Sequence, residues 1–253
     1  METMYVICFY WEGDRWKSDL SKGEKLDNNF QKHLNRVGQV DPGMPSKYVN
    51  ELFKGVTKYA DRPFEFICFT NEKLDVVKGV EIRPFPLYTK KGVLPRVYMF
   101  SEEAGLGYKQ VLCLDLDVII MGSLKPFMEY EGQFCARSKF KRGQEYKLDG
   151  DIMSFRAGKE TEDKFWKPFI KNVKAAEELT QGRERYWMRH VAGQTADRWD
   201  KVAPGKVVSF KWHVQARRGM KPKKAAILTC HGFPRPHQIS LSWVKELWGC
   251  KEK

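Results

Sequence analysis

The sequence predicts an α/β fold, a mostly parallel central sheet flanked by helices, followed by a more irregular half. Three observations carry that expectation. Short apolar runs bounded by turn residues recur through the first half of the chain, helical patterns lie between them, and strands alternating with helices form a sheet covered on both faces. After about residue 136 this regular alternation fades. The length of 253 residues, with 42% hydrophobic and 13% aromatic residues, suits one large domain that buries its own core. Gly and Pro are too few for a collagenous or low-complexity chain, so the composition is globular.

The elements follow in order. Residues 4–10 (MYVICFY) read as the first strand, and 46–60 as a helix with Ser46 at its N-cap. Strands are expected at 64–69 (FEFICF) and 80–85 (VEIRPF), and a helix over 95–104 with Pro95 at an early position. A long strand is expected at 111–120 (VLCLDLDVII), with shorter ones at 133–136, 151–155 and 225–230. A segment rich in Glu, Lys and aromatics over 160–179 reads as a helix. The tail carries Ile239, Leu241, Trp243, Val244, Leu247 and Trp248 and reads as a packing helix.

The start lacks the basic region of a signal peptide, and no run of about 18 apolar residues occurs, so no membrane insertion is expected. Six cysteines stand at 8, 68, 113, 135, 230 and 250 without a C-x-x-C pair. They read as reduced core residues of a cytoplasmic protein.

The segment 111–120 carries the chemistry. On a strand, residues i and i+2 face the same way, so Asp115 and Asp117 are expected to converge while Leu116 points opposite. Two carboxylates in an apolar strand need a partner, because uncompensated buried charge costs several kcal/mol. A divalent ion held together with a substrate diphosphate is one such partner; a solvated edge or a helix cap is another. No G-x-x-x-x-G-K-[ST] loop accompanies the pair, which argues against a P-loop NTPase. Gly105-Leu-Gly107 lacks a third glycine and reads as a helix C-cap, and no zinc-deaminase pattern is present. The second element is Ala225-Ala-Ile-Leu-Thr-Cys-His-Gly-Phe-Pro-Arg-Pro236, where an apolar strand ends in His231, a potential metal ligand. Gly232 permits close backbone approach to a diphosphate, and Arg235 offers a planar fork for phosphate.

The charge is uneven. Lys plus Arg number 45 against 32 Asp plus Glu, a net +13, and twelve of those excess charges lie in segments 137–147, 183–198 and 211–224. Basic segments interleaved with Phe140, Tyr146, Tyr186, Trp187 and Trp212 suit either a solvated face or a polyanion groove.

Taken together, the Asp-x-Asp strand and the His-Gly loop resemble the GT-A nucleotide-sugar glycosyltransferases of the glycogenin and lipopolysaccharide galactosyltransferase type. The resemblance covers most of the chain. It implies a single GT-A domain over 1–253, with a donor nucleotide-binding half over about 1–136 and an acceptor-side half over about 137–253. It implies Mn²⁺ or Mg²⁺ held by Asp115, Asp117 and His231 on the diphosphate of a donor, expected to be a UDP-sugar. Phe9, Tyr10, Trp11, Arg15, Arg96, Leu116, Gly232 and Arg235 fall in donor-binding positions. Asp149-Gly-Asp-Ile-Met resembles the segment lining the sugar site, but Asp151 stands where the family prefers Gly. Gln194 matches a residue near the anomeric carbon, although the Asp that should precede it is missing. The closing loop departs too, because its register places the family's metal histidine on Thr229, two residues before His231.

If configuration is retained, as the resemblance suggests, Gln194 lines the reacting face; if it is inverted, Asp151 or Asp149 is the candidate base. The chain also looks like phage-type transferases that place sugar on hydroxymethylated bases. That makes 5-hydroxymethylcytosine in DNA the leading acceptor and host cytoplasm the expected place of action. Arg137, Lys139, Lys141, Arg142, Arg185, Tyr186, Trp187, Arg189, Arg217, Arg218, Lys223 and Lys224 are the candidate DNA contacts. An envelope glycan or protein acceptor is the alternative. A metal-dependent nuclease or nucleotidyltransferase would share the carboxylates and the basic groove.

Overall fold

The computed structural model describes residues 2–11, 44–232 and 234–249. The strands are β1 (Met4–Phe9), β2 (Phe64–Phe69), β3 (Val80–Arg83), β4 (Gln110–Leu114), β5 (Val118–Ile120), β6 (Phe134–Ser138), β7 (Leu148–Arg156), β8 (Asp197–Arg198), β9 (Val207–Ser209) and β10 (Ile227–Thr229). Seven of them form one sheet in the order β3-β2-β1-β4-β7-β6-β8. β3, β2, β1 and β4 run parallel, β7 is antiparallel to both its neighbours, and β8 is parallel to β6, so β7 alone is reversed. This is the expected mostly parallel α/β sheet. A second sheet, β5-β10-β9, stands beside it.

Side-chain alternation explains why the first strands are apolar throughout. Met4, Val6 and Cys8 of β1 join Phe66 and Cys68 of β2 and Leu112 and Leu114 of β4 in one core. Tyr5, Ile7 and Phe9 join Ile67, Phe69, Val111 and Cys113 in the core on the opposite face. A strand buried on both faces has no position left for a polar residue. Helix α1 (Met44–Tyr59) covers the first core with Val49, Leu52 and Val56. The second sheet has its own core, closed by Val244 and Trp248 of the C-terminal segment, where the expected packing helix is α4 (Ser242–Leu247). Cys8, Cys68, Cys113, Cys135 and Cys230 are buried free thiols, while Cys250 lies outside the described residues. Among the described residues no helix is long and apolar enough to cross a membrane.

Three elements depart from expectation. The strand expected over 111–120 is broken: Asp115, Leu116 and Asp117 form a turn, and β5 leaves for the second sheet. The Asp115 amide still donates to the Asp151 carbonyl (2.9 Å) and the Val118 amide to the Asp115 carbonyl (3.3 Å), which closes the turn. Apolar residues flank it on both sides, so hydrophobic periodicity runs straight through the break. The helix expected over 95–104 is two 3₁₀ stretches, Leu94–Phe100 and Glu102–Ala104, parted at Ser101, whose hydroxyl accepts from the Ala104 amide. The helix expected over 160–179 is interrupted by a π-turn at Glu162–Trp166 and again at Asn172, which caps α2 (Val173–Thr180). Pro168 lacks the N–H that the Lys164 carbonyl would need in a regular helix.

Trp199 is fully buried against Phe127 and Tyr130, and its indole N–H donates to the Ile152 carbonyl (3.2 Å). Replacing it with Ala is expected to cost about 3–5 kcal/mol of stability, read as a shifted urea midpoint.

Candidate active site

The chain order turns over between β1 and β4: β2 and β3 lie on one side of that line and β4 and β7 on the other. At such a switch point the loops leaving neighbouring strands diverge and open a crevice beyond their carboxyl ends. Phe9, Tyr10 and Trp11 end β1 there, and the turn Asp115-Leu-Asp117 ends β4.

Each aspartate meets an arginine. Asp115 Oδ1 lies 2.6 Å from Arg96 Nη1. Arg96 is buried, and its guanidinium also reaches Glu184 Oε1 (3.1 Å), the Gly150 carbonyl (3.2 Å) and Cys113 Sγ (3.3 Å). Burial pulls its pKa down, but Asp115, Cys113 and Glu184 outweigh burial and hold it well above the ordinary value. Glu184, on helix α3 (Glu184–Ala192), is pushed up by burial, with Arg96 opposing. Its carboxylate fills the space beside Gly150, where a Cβ would fall 2.3 Å from Oε1; position 150 therefore admits only glycine without a shift of Glu184.

Asp117 pairs with Arg235, and its carbonyl accepts from the Cys230 amide (3.1 Å), which prolongs the β5–β10 ladder by one step. The loop after β10 is thereby drawn over the aspartate turn. His231 follows, half-buried, with Nδ1 3.1 Å from Thr229 Oγ1 and its ring stacked on Phe140 at 6.1 Å. Burial lowers its pKa. Gly232 has a positive φ of 76°, and Lys211 Nζ stands 3.0 Å from where its Cβ would be.

A third ion-pair group sits on β6 and β7. Arg137 Nε reaches both oxygens of Asp151 (2.7 and 3.0 Å), Nη2 reaches Asp149 (3.1 Å), and Nη1 donates to the Ser138 carbonyl (2.6 Å). The guanidinium lies over the Phe140 ring at 4.1 Å, so Phe140 is stacked by both Arg137 and His231. Burial raises the Asp151 pKa, with Arg137 opposing it and the neighbouring Asp149 adding to it. Burial acts the same way on Asp149, yet Arg137, Arg185, Lys139 and Arg189 outweigh it and hold that group low. The two candidate bases are thus unlike: Asp149 is the more exposed and the readily ionised one.

Several expected roles are corrected. Arg96 is enclosed by protein partners rather than presented to a donor, and acts on Asp115. Arg137 is 3% exposed and saturated by carboxylates, so it is no DNA contact. Trp187 is a core residue whose N–H donates to the Phe165 carbonyl (2.9 Å). Phe9 stacks on Phe69 at 4.9 Å inside the core, with Trp11 edge-on to it. Leu116 is half-buried against the apolar core, Tyr10 is half-buried, and Arg15 lies outside the described residues. Gln194 stands in the exposed turn after α3, and no contact among the described residues joins it to the carboxylates. Arg189 is half-buried and donates twice to the Leu148 carbonyl, and Arg185 leans on Asp149 at 3.5 Å. Arg183, Arg185 and Arg189 surround the Tyr186 ring at 5.3, 5.7 and 4.9 Å, and Lys139 is half-buried nearby. Lys141, Arg142, Arg217, Arg218, Lys223 and Lys224 are exposed.

Sequence reasoning missed Glu184, Lys211, His213 and Arg198. Arg198 holds the 138–147 loop through the Tyr146 and Glu145 carbonyls and Ser138 Oγ. His213, in the π-turn Phe210–Val214, accepts from the Ser209 amide (2.9 Å) and meets the Phe140 ring edge-on at 5.0 Å. All four lie inside the basic segments, where each counted only as charge or ring.

Two carboxylates and an imidazole form the oxygen and nitrogen donor set that suits Mn²⁺ or Mg²⁺. Among the described residues no three His, Cys, Asp or Glu side chains gather closely enough to hold an ion by themselves. The chain fits an ion only as Mg²⁺ is commonly bound, by one or two carboxylates with substrate phosphate completing the shell.

No protein-family model and no curated sequence relative matches the chain. Solved structures do. The galactosyltransferase LgtC, solved with donor and acceptor sugar analogues, superposes with a TM-score of 0.60 at 11% identity, over 97% of this chain and 95% of that one. The glycosyltransferase GlyE of Streptococcus pneumoniae TIGR4 superposes with a TM-score of 0.58 at 13% identity, over 98% of this chain. This chain spans 60% of the length of GlyE. The bifunctional glycosyltransferase WbbM follows with a TM-score of 0.52 at 10% identity, over 98% of this chain and 52% of WbbM. The fold is the GT-A fold of these glycosyltransferases.

Because the folded-state pKa of Glu184 is raised, its contribution to stability is complete below its unfolded pKa and is lost as pH rises through the folded value. Glu184→Gln, which stays neutral, is expected to lose less stability than wild type over that pH window. Urea midpoints of both proteins across a pH series check this.

Proposed function

We propose that the protein is a nucleotide-sugar glycosyltransferase, with 5-hydroxymethylcytosine in DNA as its acceptor. The observation that carries the enzyme class is the joining of the aspartate turn to the His-Gly loop at the switch point, through the Asp117–Arg235 pair and the Cys230–Asp117 backbone bond. These contacts bring the loop that carries His231, Gly232 and Arg235 against the aspartate turn, on a fold shared with known glycosyltransferases.

In the reaction, the bond between the anomeric carbon and the donor's phosphate oxygen breaks, and its electron pair stays on the phosphate. The acceptor hydroxyl oxygen forms the new bond and gives up its proton. Asp115 and Asp117 would hold Mn²⁺ with the donor diphosphate, and the ion would supply Lewis-acid neutralisation of the departing charge. Arg96 orients Asp115 through a contact already made in the folded protein, so no reorganisation is needed when the donor arrives. Arg235, paired with Asp117 in the folded protein, would turn to the phosphate when the donor binds. With front-face attack, the departing phosphate takes the acceptor proton; with inversion, Asp149, low in pKa and partly exposed, is the better base than enclosed Asp151.

The DNA reading rests on the surface beyond residue 137. Tyr146 and Trp212 are 67% and 51% exposed, and Lys141, Arg142, Arg217, Arg218, Lys223 and Lys224 are exposed in the same two segments. Cations suit phosphates, and exposed rings suit an unstacked base.

The test is a panel of nucleotide sugars with Mn²⁺, offered to hydroxymethylated and unmodified DNA, with mass spectrometry of the released nucleosides. A sugar on hydroxymethylcytosine is the expected result; donor hydrolysis with no transfer to either DNA removes this acceptor. Asp115→Asn and Asp117→Asn are each expected to lower transfer more than about a hundredfold, as loss of electrostatic stabilisation at the departing charge does. Neutralising Arg217, Arg218, Lys223 and Lys224 together should flatten the log–log salt dependence of DNA binding by up to about 3.6, at about 0.9 per phosphate contact, without changing donor hydrolysis.

A further inference from the structure

The basic segment 211–224 is not uniform. All of its cations are exposed, but the first, Lys211, belongs to the π-turn Phe210–Val214, whose Phe210 and Val214 share a core with Cys230 at the start of the loop after β10. Its ammonium lies 3.0 Å from the position a Cβ would take on Gly232, so it sits directly over the one loop residue that has no side chain. Among the described residues Lys211 forms no ion pair, and its side chain is exposed. His231 precedes that glycine, and Arg235, three residues after it, reaches Asp117 of the aspartate turn. The loop therefore presents, within five residues, an imidazole, a backbone open on the Gly232 side and a guanidinium, with a second cation supplied from another element.

We propose that Lys211 is the second cation of the donor diphosphate site, closing with Arg235 on the phosphate that departs with the electron pair of the broken glycosidic bond. The inference rests on the nucleotide-sugar reading above and adds a residue to it. Two cations of unlike shape divide the work. The guanidinium makes two parallel bonds to one phosphate in a fixed plane, while the ammonium on its flexible stem is a point charge able to follow charge as it builds. The π-turn is what brings Lys211 in. Ser209 caps that turn by accepting from the Trp212 amide, and His213 within it accepts from the Ser209 amide, so the turn is tied back twice to Ser209 and Lys211 lies in the span those bonds close. Gly232 is needed twice, for its positive φ and for the room its missing side chain leaves to the ammonium.

Calorimetric titration separates this role from a general surface charge. Wild type, Lys211→Met, Lys211→Arg and, as a surface control, Lys174→Met would be titrated with UDP, GDP, ADP, CDP and TDP in Mn²⁺, and with the monophosphate of whichever base binds. Loss of one charge-assisted hydrogen bond in Lys211→Met is expected to weaken the diphosphate about ten- to a hundredfold. The monophosphate should change little, Lys211→Arg should restore most of the diphosphate affinity, and Lys174→Met should match wild type. An unchanged preference for diphosphate over monophosphate in Lys211→Met would overturn the inference alone. Failure of the wild type to bind any nucleoside diphosphate would overturn the nucleotide-sugar reading, and this inference with it.

Discussion

The site depends on a guanidinium that has been taken out of water. Arg96 is enclosed between the end of β4, the start of β7 and the first turn of α3, and a buried cation is tolerated only when its partners are in place. Asp115, Glu184 and the Gly150 carbonyl are those partners. Removing any one of them leaves charge uncompensated inside the protein, so three elements distant in sequence are locked to a common geometry. The aspartate turn is thus held by the protein through Asp115, whose side chain stays 34% exposed.

The same device recurs. Arg137 binds Asp149 and Asp151 from β6 to β7, and Arg235 binds Asp117 from the loop after β10. Together these pairs leave Asp115, Asp117, Asp149 and Asp151 with their charge already balanced. The balance has a cost and a use. Buried pairs contribute little net stability, but they keep polar groups oriented where flexible surface side chains would not. The environment also sets apart two carboxylates only two residues apart in sequence, raising Asp151 by burial and lowering Asp149 by surrounding cations.

This use of charge changes the meaning of the net +13. Part of the basic excess is structural: Arg137 is buried, Arg198 holds a loop, and Arg189 supports the Leu148 carbonyl. What remains exposed is concentrated in 141–146 and 211–224, the segments that also display Tyr146 and Trp212. The surface available to a polyanion is smaller than the composition implies.

The strands of the first half were legible because strands buried on both faces must be apolar from end to end, and this makes β1, β2 and β4 visible as runs. The motif residues Asp115, Asp117, His231, Gly232 and Arg235 were legible for the opposite reason, since polar residues within apolar surroundings stand out. Their partners were not. Arg96 and Glu184 are 88 residues apart, and nothing local distinguishes a buried arginine or glutamate from a solvated one. The turn at Asp115–Asp117 was also hidden, because the residues on either side are equally apolar although they belong to different sheets. By itself, then, the sequence determined the fold class and singled out the candidate residues, through local patterning. Only the tertiary structure decided which charges are paired inside the protein and which face solvent, because that depends on burial and on partners brought together from across the chain.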